Sequence, residues 1–214
     1  MKVFAAAVLA VLAGSQAVAA DAVPIDPKAV YFKSIAYAGT GCPVSPPSAQ
    51  VRLSDDRTTF SILFDQFVAE AGPGIPRASN RRNCQLNIGV HIPGGFQYSI
   101  ASADYRGWAQ LDAKVKGIQT ASYYFQGDGR TVTTKAEIPG AYVNDYQIHD
   151  EIEFTTLSWS PCGEDSNINI NTSIFVDNSK NKAASGSLTT DSIDGKVTQK
   201  YAFVWRPCTR RATA

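Results

Sequence analysis

Histidine is nearly absent from this chain of 214 residues, which has only His91 and His149. Chemistry that needs an imidazole base or a histidine metal cluster therefore has few places to reside. There is no Gly-x-Ser-x-Gly elbow, no His-Glu-x-x-His helix and no cysteine close in sequence to a histidine. The local signatures of hydrolases and zinc enzymes are thus missing, although a triad can still assemble from distant residues. An excess of one charge is missing too: 20 basic residues stand against 19 acidic ones, and without Lys2 the two counts are equal. The only basic runs, Arg81-Arg82 and Arg210-Arg211, are too short to make the surface that nucleic acid requires. Beyond the first twenty residues nothing is apolar enough to span a membrane, and neither an internal repeat nor an amphipathic helix is evident. No cofactor and no metal are expected.

What is present begins with an export signal. Met1-Lys2 supplies a positive start, Val3 to Ala13 an apolar run too short for a bilayer anchor, and Ala17-Val18-Ala19 a small-residue cleavage pattern. Residues 1–20 read as a secretory signal peptide and 21–28 as a flexible lead-in. A single domain over 29–208 follows, and then a frayed tail, 209–214. The four cysteines of an exported chain point to two disulfides, with three connectivities open. Cys42 and Cys84 border early strands and Cys162 and Cys208 end late ones, which favours Cys42 with Cys84 and Cys162 with Cys208. Each bridge would contribute roughly 4 kcal/mol by closing its loop.

The residues alternate. Cys84, Leu86, Ile88, Val90 and Ile92 share one parity, with Gln85, Asn87, Gly89 and His91 on the other, which makes a strand with one dry and one wet face. Pro93-Gly94-Gly95 interrupts the pattern and Phe96, Tyr98 and Ile100 resume it, so the unit reads as a hairpin. Further strands are expected at 29–38, 50–53, 58–64, 108–117, 118–126, 131–138, 148–159 and 168–176, and in a last strand with Val197, Tyr201, Phe203 and Trp205 on one face. Gly127-Asp128-Gly129 and Asp194-Gly195 are turn signals, and the long loop from Glu70 to Asn80 is a candidate rim of a binding site. Ten to twelve short strands punctuated by Gly and Pro predict an all-β, two-sheet antiparallel sandwich with jelly-roll-like connections, a closed β-barrel being the alternative.

Several of these segments, FKSIAYAGTGCP, LSDDRTTFSILFD, PGGFQYS with ADYRGWAQLDA, HDEIEFTTLSWSPCG and LTTDSIDGKV, resemble the secreted, mainly fungal family known as domain of unknown function 4360. The resemblance covers nearly the whole mature chain. It implies an exported single domain with paired cysteines, and it supplies no reaction, ligand or catalytic residue.

Chemistry must therefore be sought in the residues. His149, beside Asp150 and Glu151, could act as a general base or a ligand if a cleft brought it a partner, and it otherwise caps a surface strand. Asp55-Asp56 and Asp191 to Asp194 offer oxygens for calcium, but Asx-turns explain them as well. Asn171-Thr172-Ser173 is a glycosylation sequon, which calls for an outward Asn171. Among the aromatics Tyr98, Tyr105, Trp108, Tyr123, Tyr124, Tyr142 and Tyr146, the stretch Asp104, Tyr105, Arg106, Gly107 and Trp108, with Gln110 beyond it, is richest in groups that suit a sugar ring. An exposed ring takes the apolar face of the sugar, and planar polar groups take its hydroxyls. The competing reading makes these rings core. The function expected is a secreted, monomeric, non-catalytic module for cell-wall polysaccharide or host-surface glycan, bound through Asp104, Tyr105, Arg106, Trp108 and Gln110. A secreted hydrolase built around His149 and a structural wall or adhesion protein are the alternatives.

Overall fold

The computed structural model describes residues 26, 29–127, 129–163, 165–190 and 199–208. The expected signal peptide, all but one residue of the expected lead-in, the expected tail, Asp128 of the Gly127-Asp128-Gly129 turn signal, the Asp191 to Asp194 turn, Asp194-Gly195 and Val197 lie outside the described residues. Among those described, twelve strands form two antiparallel sheets. The first sheet has the order β1 (Tyr31–Ala38), β5 (Arg81–His91), β10 (Ser166–Asp177), β7 (Lys116–Phe125), β8 (Val132–Pro139). The second runs β2 (Ala49–Leu53), β3 (Thr59–Phe64), β12 (Gln199–Pro207), β6 (Phe96–Leu111), β11 (Gly186–Thr189), β4 (Val68–Ala71), with β9 (Tyr142–Glu151) also paired to β6. The sheets do not close into a barrel, so the sandwich stands and the barrel alternative falls.

Alternation is what drives the two layers together. Leu86, Ile88 and Val90 of β5, Ile168, Ile170 and Ile174 of β10, and Phe60, Ile62 and Phe64 of β3 are all buried. Removing an aliphatic side chain of that size from water stabilises by roughly 1.5–3 kcal/mol. The core also has a polar seam. The amides of Gln119 and Gln199 donate to Thr172 Oγ1 at 2.9 and 3.1 Å, and Tyr201 donates to Gln199 Oε1 at 2.6 Å. Every one of these four side chains is buried, so their hydrogen bonds are met inside the core, where the Thr190 hydroxyl also reaches Gln119 Oε1.

Three sequence expectations need correction. Pro93-Gly94-Gly95 does not close a hairpin: β5 belongs to the first sheet and β6 to the second, so the turn is an arch across the core. The strand expected from Trp108 to Gly117 breaks in two, because β6 ends at Leu111 and Lys114 takes a positive φ of 70° in the arch leading to β7. The strand expected from Ile148 to Trp159 begins earlier and stops at Glu151. The segment after it follows the edge of β6, with Ile152 N–H donating to Ala101 O and Ser160 N–H to Tyr98 O, and it sets the Trp159 ring 4.0 Å from the Arg206 guanidinium. β2 with β3, and β7 with β8 across the Gly127-Asp128-Gly129 turn signal, pair as antiparallel hairpins. Both disulfides form as favoured, Cys42–Cys84 and Cys162–Cys208.

Candidate functional site

β6 is the longest strand, at 16 residues, and it is paired on both edges. β12 and then β11 line one edge, while β9 lines the other from Ser102 to Leu111. β9 holds this stretch along its whole length, and on the other edge, between the ends of β12 and β11, the Thr189 hydroxyl bonds the Trp108 backbone, so the outward residues stand in a row. Asp104, Arg106, Trp108 and Gln110 make that row, spaced about 6.8 Å apart by the strand repeat. Opposite them on β9 stand His149, Gln147, Asp145 and Val143 in that order.

Tyr105 is not part of this face, which corrects the sequence expectation. Its side chain is fully buried, with its hydroxyl against that of Tyr123 and its ring edge-on to Tyr201. Burial pushes its phenol well above the usual tyrosine range. Tyr98, Tyr123 and Tyr146 are core residues as well. Trp108 remains outside, half-buried, and its backbone N–H donates to Thr189 Oγ1 at 3.1 Å. Gly107 beside it makes no bulge. It faces inward where the Thr189 carbonyl and the Tyr146 ring leave no room for a side chain: an added Cβ would meet that oxygen at 1.9 Å. Tyr146 in turn donates to the same carbonyl at 2.8 Å. Small residue, carbonyl and phenol together fix the backbone that carries Trp108.

His149 lies across from Asp104, with Nδ1 2.8 Å from Oδ1. The hydrogen bond to Asp104, and then its charge, raise the imidazole pKa, with smaller contributions from Glu151 and Asp150. The pair sits on the open outer face of the sheet, and the His149 side chain is 55% exposed. A hydrolase built on His149 would need it inside a cleft. Further along the same face, Ala101, Glu151, Ile152, Glu153, Leu157 and Val204 line a shallow hollow of about 420 Å³.

Asn171 is exposed on the outer face of the first sheet, as a sequon requires. Asn87 shares that face, donating to Asn169 Oδ1 at 2.8 Å and accepting from Asn167 at 2.9 Å. Asp55 and Asp56 occupy the turn between β2 and β3, where Asp56 accepts from the Ser54 hydroxyl at 2.6 Å and the Thr58 N–H at 3.1 Å. Those bonds hold its carboxyl below the usual range, as an Asx-turn does. Among the described residues no group of three or more His, Cys, Asp or Glu is placed to hold a metal ion.

Sandwich, bridges and polar faces together define a secreted, disulfide-linked, all-β domain. Over residues 28–208 the sequence matches the family described as a domain of unknown function, DUF4360, and the chain belongs to that family. An uncharacterised secreted protein of Arthroderma benhamiae is 43% identical over 184 residues, covering 86% of this chain and 74% of that protein. Two solved structures are distantly similar. One is the enzymatically active domain of a tailspike protein of bacteriophage CBA120, at TM-score 0.20 and 14% identity, and the other a GH31 alpha-xylosidase of Xanthomonas citri, at TM-score 0.18 and 9% identity. The matches cover 86% and 84% of this chain but only 20% and 19% of those chains. Likenesses so low carry no argument about function.

Proposed function

We propose that this protein is a non-catalytic extracellular module that binds a polysaccharide, of cell-wall or host-surface origin, along the outward row of β6. The observation that supports this reading is the row itself: Trp108 between Arg106 and Gln110, with Asp104 beyond, on a strand that β9 pairs from Ser102 to Leu111 and that β12 and β11 flank on its other edge up to Tyr105 and from Ala109. Three strand repeats give a strip roughly 20 Å long, enough to follow an extended chain. Trp108 offers a ring face, and Arg106, Gln110 and Gln147 offer planar donors for hydroxyls. Because the groups sit on a sheet rather than a loop, little order is lost on binding.

Co-sedimentation with insoluble chitin, β-glucan and cellulose tests the reading. The mature protein is expected to be retained by at least one polymer, and Trp108→Ala to lose at least about tenfold in retention while keeping its melting temperature. Failure of the intact protein to be retained by any of the three would overturn it.

A further inference from the structure

A second concave site lies away from the β6 row, where the two sheets meet at the ends of β4 and β10. It measures about 330 Å³, and among its lining residues are Ile75, Arg77, Asn80, Phe175, Asp177 and Lys182. Most of one wall comes from the long loop between β4 and β5, the other from the end of β10 and the loop after it. The volume falls at the small end of ligand pockets, which run to roughly 300–1,000 Å³.

Three features of the lining belong together. Phe175 breaks the character of its strand. The outward residues of β10 before it are Asn167, Asn169, Asn171 and Ser173, and then a phenylalanine stands at the pocket, across from Arg81. Ile75 is one of the few large apolar side chains left exposed, at 39%. Each wall also carries an exposed cation, Arg77 with Ile75 and Lys182 beyond Phe175, and neither belongs to an ion pair among the described residues. The one carboxylate in the lining does not answer them. Asp177 accepts the Ser179 N–H at 2.9 Å, and the Ser179 hydroxyl and N–H hold its carboxyl below the usual range. Arg81, across from Phe175, and Lys180, next to Ser179, are further cations near the lining, and Glu70, next to Ala71, is a further carboxylate.

From this juxtaposition we infer that the pocket binds a uronic acid residue of an acidic glycan. Arg77 and Lys182 take the carboxylate, Ile75 and Phe175 lie against the apolar ring face, and Asn80 reaches the hydroxyls. A charged group fixed to a ring with one apolar face matches the lining better than a bare inorganic anion, which would leave Ile75 and Phe175 uncovered. The inference does not depend on the β6 row, and the two sites are separable by variant.

Titration calorimetry of the mature protein with trigalacturonate, its methyl-esterified form and inorganic phosphate tests it. The acid form is expected to bind, the methyl ester at least about tenfold more weakly, and phosphate not to compete. Arg77→Gln with Lys182→Gln is expected to cost at least about tenfold in affinity with an unchanged melting temperature, since both side chains are exposed. Trp108→Ala is expected to leave this affinity intact, so failure of the β6 proposal and failure of this one read out separately. Equal binding of acid and ester, competition by phosphate, indifference to the double substitution, or no binding of the acid form would each overturn the inference.

Discussion

Thr172 is the residue on which the interior polar seam turns, because its one hydroxyl oxygen accepts from two buried amides, Gln119 and Gln199. Thr172→Val keeps the shape and removes the acceptor, leaving both amides with an unmet donor inside the core. A loss of about 1–3 kcal/mol is expected on urea unfolding, whereas the exposed neighbour Asn171→Gln should stay within about 0.5 kcal/mol. Equal midpoints for the two variants would contradict this account of the seam. Strand parity also decides, residue by residue, which members of the expected site reach solvent. Asp104, Tyr105, Arg106 and Trp108 looked like one site because they are close in sequence, yet neighbours on a strand point to opposite faces. Tyr105 has the parity of Leu111 and Ala109, both core residues, and that parity is legible in the sequence itself. The pocket at Arg77 left a fainter trace, a lone Phe175 ending a row of Asn and Ser.

Among the elements, strands with one strongly apolar face were legible to within three residues at either end. β5, β7 and β10 are of this kind, and their expected and observed spans nearly coincide. β4 and β9 were missed or misplaced, since each buries little: four residues in one case, and an edge strand with mostly exposed side chains in the other. Whether Pro93-Gly94-Gly95 makes a hairpin or an arch was not legible, because the choice rests on partners far away in sequence: β12 and β9 for one strand, β1 and β10 for the other. The two bridges bind elements of unequal access. Cys42 and Cys84 are fully buried, while Cys162 is exposed. Limited reduction followed by alkylation and mass spectrometry should therefore label Cys162 and Cys208 well before the other pair, and simultaneous labelling would contradict the burial. Removing the inner bridge, which spans 42 residues, is expected to cost roughly 4 kcal/mol in urea unfolding.

For the molecule as a whole, the interior holds an unusual share of phenols. Tyr98, Tyr105, Tyr123, Tyr146 and Tyr201 are buried, and desolvation raises all five above the ordinary value of 10.0. The folded chain holds these protons more tightly than the unfolded chain. Their contribution to stability is complete below pH 10 and falls as the pH climbs past it toward the raised values. Alkaline titration should show these five of the nine tyrosines ionising only together with loss of the β signal in circular dichroism. Smooth ionisation of all nine in a chain that keeps its fold would contradict the packing. The sandwich itself was legible in outline, since period-two alternation and Gly-Pro punctuation have few other solutions. The sequence does not rank the two outer faces as candidates for a ligand, since both are polar.

The sequon supplies a last consequence, one of timing. Asn171 lies in the central strand of its sheet, its backbone flanked by Gln85 and Ser122, and Ser173, the hydroxyl residue of the motif, is covered by a hydrogen bond from Arg81. A transferase that must grip three residues of extended chain finds them free only while the polypeptide is still emerging. Any sugar here would belong to the biography of the nascent protein, and a molecule that folded first would stay bare however long it met the enzyme.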